Sequence, residues 1–501
     1  MTSTGREPEL IHEAVALQAR LRPDAVAIRQ NDSVLSYAAL DANAEAYAAE
    51  LIRLGVGPGA IVPVVLPGTP RLPTTLLAVL KTGAAYSALD HRWPREHIQS
   101  LITRLAPPLV LTDSGPVWGP PVSCPPEPTP RVKALQPVPR PPGLTGAAPA
   151  MVFFTSGTTG RPKGVLSPHR ATLRLFAGET FAEFGPSSSM PQTAPVPWDA
   201  FALETWGMLT TGGTVVLVDD DYFLPDSLRD LVRDRGVTQI WLTASLFNLF
   251  VDEDIDAFRG LRRVLTGGER LSPEHVRRFL SAHPHVALVN GYGPVESCVF
   301  VSTHPITLED CALPGGIPIG RPVPGTSLHV LDGTRPATGQ GEICLAGTGL
   351  ALRYLDDPEA TARSFVTITV DGEPTRLYRT GDQGEFDADS VLHFRGRTDH
   401  QLKIAGHRVE PADIEAAVRA ISGVRDCAVY PMTGPEGMVD RLALSYTADN
   451  AQAIDEGTLK RVLAERLPAY QVPTIVRRHS ELPMTLSGKV DRAELIAQLT
   501  A

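Results

Sequence analysis

Met151-Val152-Phe153-Phe154-Thr155-Ser156-Gly157-Thr158-Thr159-Gly160-Arg161-Pro162-Lys163-Gly164 is the stretch around which the rest of the chain can be ordered. The apolar run at its start reads as the end of a buried strand, and the glycines that follow let backbone amides turn inward toward an anion. Hydroxyl groups and Lys163 add donors and one positive charge, so the run is suited to holding phosphate. A Walker loop would need glycine, four residues and then Gly-Lys-Ser/Thr, whereas here Arg161-Pro162 stands between Gly160 and Lys163, and Gly164 follows the lysine. The stretch is therefore not a P-loop. Taken alone, such a Gly/Thr cluster also fits a plain surface turn.

At 501 residues the chain exceeds what one hydrophobic core organises, which predicts two or more domains. With 43% hydrophobic and 20% charged residues it has the composition of an ordinary globular protein. A formal net charge of -10 with no basic block argues against a nucleic-acid partner, while leaving local binding of an anion open. Met1–Glu9 lacks a basic-then-apolar signal pattern and no apolar run is long enough to span a bilayer, so the expectation is no membrane and a cytoplasmic location. Cys124, Cys298, Cys311, Cys344 and Cys427 form no C-x-x-C pair, which suits reduced thiols. His91 and His97 lack metal-ligand spacing and read as structural or surface residues.

Along the chain, Leu10–Leu21 and Asp41–Leu54 carry helical apolar spacing, with strands expected at 25–28 and 35–37 around an Asn31-Asp32 turn. A buried strand follows at Ile61–Leu66 and a helix at Pro73–Lys81. This alternation predicts an α/β architecture with a largely parallel sheet. Gly115–Pro149 is proline-rich and reads as a loop or linker. Further strands are expected at 214–218, 239–242, 263–265 and 286–289, between helices at 226–235 and 272–282, the second N-capped by Ser272. Asp219-Asp220-Asp221 and Asp252-Glu253-Asp254 read as solvated loops. At Gly396-Arg397-Thr398-Asp399 the apolar rhythm breaks, and a small α+β unit follows, its first helix opened by Glu410-Pro411-Ala412-Asp413.

Several segments carry candidate chemistry. Asn290-Gly291-Tyr292-Gly293-Pro294-Val295-Glu296 offers a flat aromatic face for a base, glycines that permit close approach, and a hard oxygen ligand suited to Mg2+. Tyr378-Arg379-Thr380-Gly381-Asp382 ends in a carboxylate able to accept from two hydroxyls at once. Leu482–Arg492 contains Ser487-Gly488-Lys489, and a cation reaching two converging anions lowers the barrier to their reaction.

Together with Leu35–Leu40, Leu80–Tyr86, Gly396–Glu410 and the opening stretch, these segments resemble, in matching order over nearly the whole chain, the adenylate-forming (ANL) superfamily. Within it the chain is most similar to the amino-acid adenylation domains of nonribosomal peptide synthetases. The resemblance implies a large N-terminal ATP- and amino-acid-binding domain over 1–396, with mixed and parallel sheets, and a small mobile α+β domain over 397–501 carrying the catalytic lysine. It implies ATP and Mg2+ as cofactors. Thr155, Ser156, Gly157, Thr158, Thr159 and Gly160, with Lys163, become the phosphate loop. Gly267, Gly268 and Glu269 line the adenine together with Asn290, Gly291, Tyr292 and Gly293; Glu296 holds the metal, Asp382 the ribose, and Arg397 makes a second ribose or phosphate contact. Asp399 is the hinge and Lys489 the catalytic cation. Two departures stand out: Val295 where threonine is usual, which predicts slower adenylation, and Ala405 where arginine is common.

Asp199, in Val196–Glu204, falls where such domains pair an aspartate with the substrate's α-ammonium; in isolation it also reads as a helix-capping residue. Carried over by position, the pocket wall is Ala200, Leu203, Trp241, Leu265, Gly267, Gly291, Val299 and Phe300, uncharged throughout. That wall is similar to those of valine-selecting domains, although apolar pockets separate neighbours differing by a methylene by only about 1–3 kcal/mol. The expected activity is formation of aminoacyl-AMP from L-valine or a close analogue, then transfer to the phosphopantetheine thiol of a carrier protein. No carrier site follows Lys489, so the expectation is a freestanding enzyme serving a carrier in trans or an excised domain, with a small accessory protein as a further candidate partner. The rivals are an acyl- or aryl-CoA ligase of the same superfamily and an inactive homologue that only binds.

Overall fold

A computed structural model describes residues 8–113, 118–130, 136–155, 162–178, 181–219, 222–370, 372–398, 402–404, 407–433, 439–448, 454–484 and 490–500. The chain divides into two compact units. The larger comprises Met1–His91, Ile102–Phe154 and Gly164–Gly396; the smaller comprises Arg92–Leu101, Thr155–Lys163 and Arg397–Ala501. The architecture is mixed α/β, as the alternating pattern predicts.

Within the larger unit, strand Val26–Gln30 lies parallel to Thr214–Leu217, which in turn lies parallel to Ser189–Gln192, and Ser33–Ser36 closes the edge antiparallel. A seven-stranded sheet is built around the parallel pair Ile61–Val65 and Ala85–Ala88 and includes Pro149–Thr155 and Lys163–Pro168. Six strands that include Thr326–Asp332, Gly341–Gly347 and Glu373–Phe386 form an antiparallel sheet. The sheet that matters most for the site contains the parallel strands Gln239–Thr243, Arg263–Gly267 and Ala287–Tyr292. Their register sets Trp241 beside Leu265 and Gly267 beside Gly291. Trp241 and Leu265 are mid-strand, while Gly267 and Gly291 lie at or next to the carboxyl ends, where open α/β sheets offer a crevice. The smaller unit contains a sheet of Val424–Thr433, Val439–Ala448 and Ile475–Arg478, and the helix Pro411–Arg419 buries Ile414 and Val418.

Several elements differ from the sequence expectation for identifiable reasons. The strand at 33–36 stops before Tyr37, which opens the helix Tyr37–Arg53 because the Ser36 hydroxyl accepts from the Ala39 N–H. Ser272 holds the N-cap position of the helix Pro273–Ala282 as expected, but its hydroxyl bonds His275 Nδ1 at 2.7 Å and makes no capping bond to a backbone N–H. Asp252 and Glu253 end the helix Ala244–Glu253, with Asp252 facing His275 and Arg278, and Asp254 caps the next turn, so this acidic run is not a solvated loop. Asp219 accepts from Gln30 and Asn31, whereas Asp220 and Asp221 lie outside the described residues. The proline-rich segment contributes an edge strand, Val122–Ser123. Lys81 is buried against Asp41 (2.7 Å) and Glu45, which makes Leu80–Tyr86 a structural motif. The five cysteines are free. Among the described residues no helix is long and apolar enough to cross a membrane.

Candidate functional site

Asp199 is the first residue of the helix Asp199–Thr211, where an acid is favoured by the helix dipole. Its carboxylate also has a longer-range partner: the Val299 N–H donates to Oδ2 at 2.7 Å. Asp199 is half-buried, so part of it remains reachable from solvent. Desolvation there raises its pKa from 3.8 to about 6, the Val299 N–H opposes the rise, and the Glu296 charge adds to it. An aspartate held at this value gains from any cation that reaches it.

Ala200, Leu203, Trp241, Leu265, Val299 and Phe300 share one buried apolar cluster. The Phe300 ring stands edge-on to Trp241 and to Phe181, each with centroids 5.2 Å apart. It also packs on Gly291, where a Cβ would overlap the ring; a Cβ at Gly267 would overlap the Gly291 carbonyl, and one at Gly293 the Val299 carbonyl. The groups that approach Gly291 and Gly293 closely thus include the protein's own ring and backbone, not only a ligand as the residue types suggested. Glu204, five residues beyond Asp199 on the same helix, is fully buried and accepts from the Thr193 N–H and hydroxyl and the Ala194 N–H. Burial pushes its pKa up to about 8 against those donors.

Farther along the same strand, the Tyr292 hydroxyl donates to Asp382 Oδ2, joining two residues assigned separately to base and ribose. Glu296 is fully buried, and its Oε1 accepts from the Tyr354 hydroxyl at 2.7 Å. Asn290 donates its side-chain amide to the Pro318 carbonyl at 2.8 Å, a structural use of that residue. Gly267 and Gly268 both have positive φ, and Glu269 accepts from the Ser245 hydroxyl and N–H. No group of three or more His, Cys, Asp or Glu forms a metal cluster among the described residues. The donor set nearest to a metal site is thus the single buried carboxylate of Glu296, which fits Mg2+ because that ion keeps most of its coordination for water and phosphate oxygens.

Thr155, Lys163 and Arg397 fall in the smaller unit. The Thr155 hydroxyl is buried with no hydrogen-bond partner among the described residues, an acceptor-donor pair available to a ligand. Lys163 opens the strand Lys163–Pro168 and Arg397 ends Leu392–Arg397. Ser156, Gly157, Thr158, Thr159, Gly160, Asp399, Ala405 and Lys489 lie outside the described residues. Sequence reasoning missed Phe181, Cys298, Tyr354, Glu204 and Arg174. Two of them left a trace: Arg174 as a cation in the mainly apolar run Ala171–Phe176, and Glu204 as an acid in the mainly apolar Ala200–Leu209 segment.

Comparison with known proteins matches residues 15–355 to the AMP-binding enzyme family and residues 413–489 to the AMP-binding enzyme C-terminal domain. The chain is 32% identical over 497 residues to tyrocidine synthase 3 of Brevibacillus parabrevis, covering 97% of this chain and 8% of that protein. It is 36% identical over 505 residues to the phosphinothricin tripeptide synthetase PhsC of Streptomyces viridochromogenes, covering 98% of this chain and 45% of that one. It therefore spans less than half the length of these synthetases. Among solved structures, PA1221, an NRPS protein containing adenylation and PCP domains, superposes with a TM-score of 0.86 at 34% identity, covering 98% of this chain and 97% of PA1221. The artificially fused NpsA-ThdA adenylation-PCP di-domain from Klebsiella oxytoca gives 0.85 at 25% identity, covering 94% of this chain and 87% of that one.

Proposed function

The chain belongs to the AMP-binding enzyme family, as an adenylation domain of the nonribosomal peptide synthetase type, and from that premise we propose that it activates a small branched aliphatic amino acid, L-valine above all. The carboxylate oxygen of the amino acid attacks the α-phosphorus of ATP, the bond to the departing pyrophosphate breaks, and aminoacyl-AMP is left. A carrier protein's phosphopantetheine thiol then attacks the acyl carbon and AMP leaves, which gives the thioester. The observation that carries this reading is the raised, partly accessible Asp199 carboxylate set in a wall whose other members bear no charge. Such a group calls for an ammonium, which an amino acid has and a fatty or aryl acid lacks.

In this proposal Asp199 binds the ammonium, while Ala200, Leu203, Trp241, Leu265, Val299 and Phe300 enclose the side chain. Asp382, oriented by the Tyr292 hydroxyl, takes the ribose hydroxyls. Glu296, braced by Tyr354, would hold Mg2+, which neutralises phosphate charge when bound. Thr155 and Lys163 contact phosphates, Arg397 the nucleotide, and Asp399 acts as hinge. Lys489 bridges the attacking carboxylate and the α-phosphate, and its domain must move between the two half-reactions. Cytoplasmic location and a carrier or accessory protein acting in trans belong to the same proposal.

The test is pyrophosphate exchange into ATP across the aliphatic amino acids and their deaminated analogues. Valine-dependent exchange with no response to 3-methylbutanoate is expected. CoA thioester formation from acids lacking an amino group would replace this reading with an acyl-CoA ligase.

A further inference from the structure

Cys298 and Val299 are consecutive non-glycine residues with positive φ, 52° and 61°. A β-branched residue is rare in that region, and each such residue costs about 1–3 kcal/mol unless its surroundings over-determine it. Both are buried, and Val299 supplies the N–H that Asp199 accepts as well as part of the apolar wall. Something must hold this pair.

Cys298 N–H donates to the Val295 carbonyl and its thiol meets the Thr172 hydroxyl at 3.4 Å, and beside the pair lies Arg174, only 7% exposed. Its Nη2 donates to the Ser297 carbonyl at 2.6 Å, to the Ser297 hydroxyl at 3.4 Å and to the Phe300 carbonyl at 2.9 Å, and Nη1 donates to the Ala171 carbonyl at 3.1 Å. The two carbonyls taken by Nη2 flank the left-handed pair on either side. The guanidinium lies against Gly349, where a Cβ would overlap Nε and Cζ, so that glycine makes room for it. Among the described residues Arg174 makes no ion pair with a carboxylate. A buried cation directed mainly at carbonyls has a backbone to hold in place.

We propose that Arg174 is a positioning and specificity-determining residue for the amino-acid site: by pinning the carbonyls of Ser297 and Phe300 it keeps Cys298–Val299 left-handed, which aims the Val299 N–H at Asp199 and seats Val299 and Phe300 in the wall. The proposal rests on the reading of Asp199 as the ammonium partner. Lysine is a poor replacement for Arg174, because the guanidinium holds the Ala171 carbonyl through Nη1 while Nη2 takes both turn carbonyls, an anchored geometry that a single flexible ammonium does not reproduce.

The test compares Arg174→Met, Arg174→Lys, Gly349→Ala and the double variant Arg174→Met/Cys298→Gly with wild type. Exchange kinetics give the KM for valine and for ATP, and hydrogen–deuterium exchange follows the peptide covering residues 295–302. Loss of hydrogen bonds from a charged donor predicts a rise of about 10-fold to 100-fold in the valine KM for Arg174→Met and Arg174→Lys. The ATP KM should stay within about 2-fold of wild type, and discrimination of valine from alanine and leucine should flatten. Gly349→Ala should move in the same direction. Cys298→Gly should recover part of the loss, since glycine adopts positive φ without the steric cost. Parallel changes in both KM values, or a wild-type valine KM in Arg174→Met, would overturn the proposal. If wild type shows no amino-acid-dependent exchange, the substrate reading falls by itself; unchanged deuterium uptake at 295–302 in the variants would then overturn the brace, and faster uptake confined to that peptide would uphold it.

Discussion

Asp199 allows a prediction whose sign and size both follow from its surroundings. The gap between an ordinary aspartate at 3.8 and one near 6 corresponds to at most about 3 kcal/mol of folding free energy given up to keep the ionised group desolvated. Because the folded carboxyl holds its proton more tightly than the unfolded chain does, its stabilising contribution is whole below pH 3.8 and is lost as pH rises through about 6. Asp199→Asn keeps an oxygen for the Val299 N–H and removes the charge. The ligand-free variant should therefore melt higher than wild type at pH 7.5, and the difference should vanish near pH 4. Valine binding has the opposite dependence, since only the ionised form pairs with an ammonium. With half-ionisation near 6, the charged fraction falls from about nine-tenths at pH 7 to about one-tenth at pH 5, so the valine KM should rise roughly tenfold across that span. Asp199→Asn should lose about 100-fold or more in kcat/KM at pH 7, the scale of breaking a buried ion pair by removing one partner, and its residual valine KM should be flat with pH. The assay is exchange at pH 5 to 8 with ATP saturating, alongside thermal melts of the apoprotein. A valine KM with the same pH profile in wild type and Asp199→Asn would refute the reasoning.

Glu204 makes a second pH-dependent case: raised from 4.5 to about 8, it contributes stability that is complete below pH 4.5 and disappears as pH climbs through 8. The melting temperature should fall over that window and Glu204→Gln should flatten the slope; an unaltered slope would count against it. Tyr354→Phe removes the hydroxyl on Glu296 and should raise the Mg2+ concentration needed for half-maximal exchange by about tenfold, with a matching loss in Mn2+ binding followed by electron paramagnetic resonance; unaltered binding would show that Glu296 needs no brace. Val295→Thr should speed adenylation by restoring a hydroxyl, at a small stability cost because Val295 packs against two apolar clusters. An exchange rate equal to wild type would dismiss the significance given to this departure.

The chain order of local signals determined a good deal without coordinates. Apolar periodicity located the helices at 11–21 and 225–235 and the strands at 61–65 and 239–243, because burial on one face is written residue by residue. Motif spacing was enough to place the chain in its family. Where the reading went astray, local chemistry competed with a distant partner: Asp252 turned to Arg278, a choice that no window of neighbouring residues reveals.

The arrangement around Asp199 came only from tertiary structure. Asp199 meets Val299 a hundred positions later, Arg174 reaches Ser297 and Phe300 from still farther away, and Tyr354 finds Glu296 across the sheet edge. The raised carboxyl at Asp199 and the left-handed pair at 298–299 exist because those distant groups surround them. Sequence specifies which donors, acceptors and apolar faces are present, but desolvation and backbone strain depend on what packs around a group, and that is decided when the chain closes on itself.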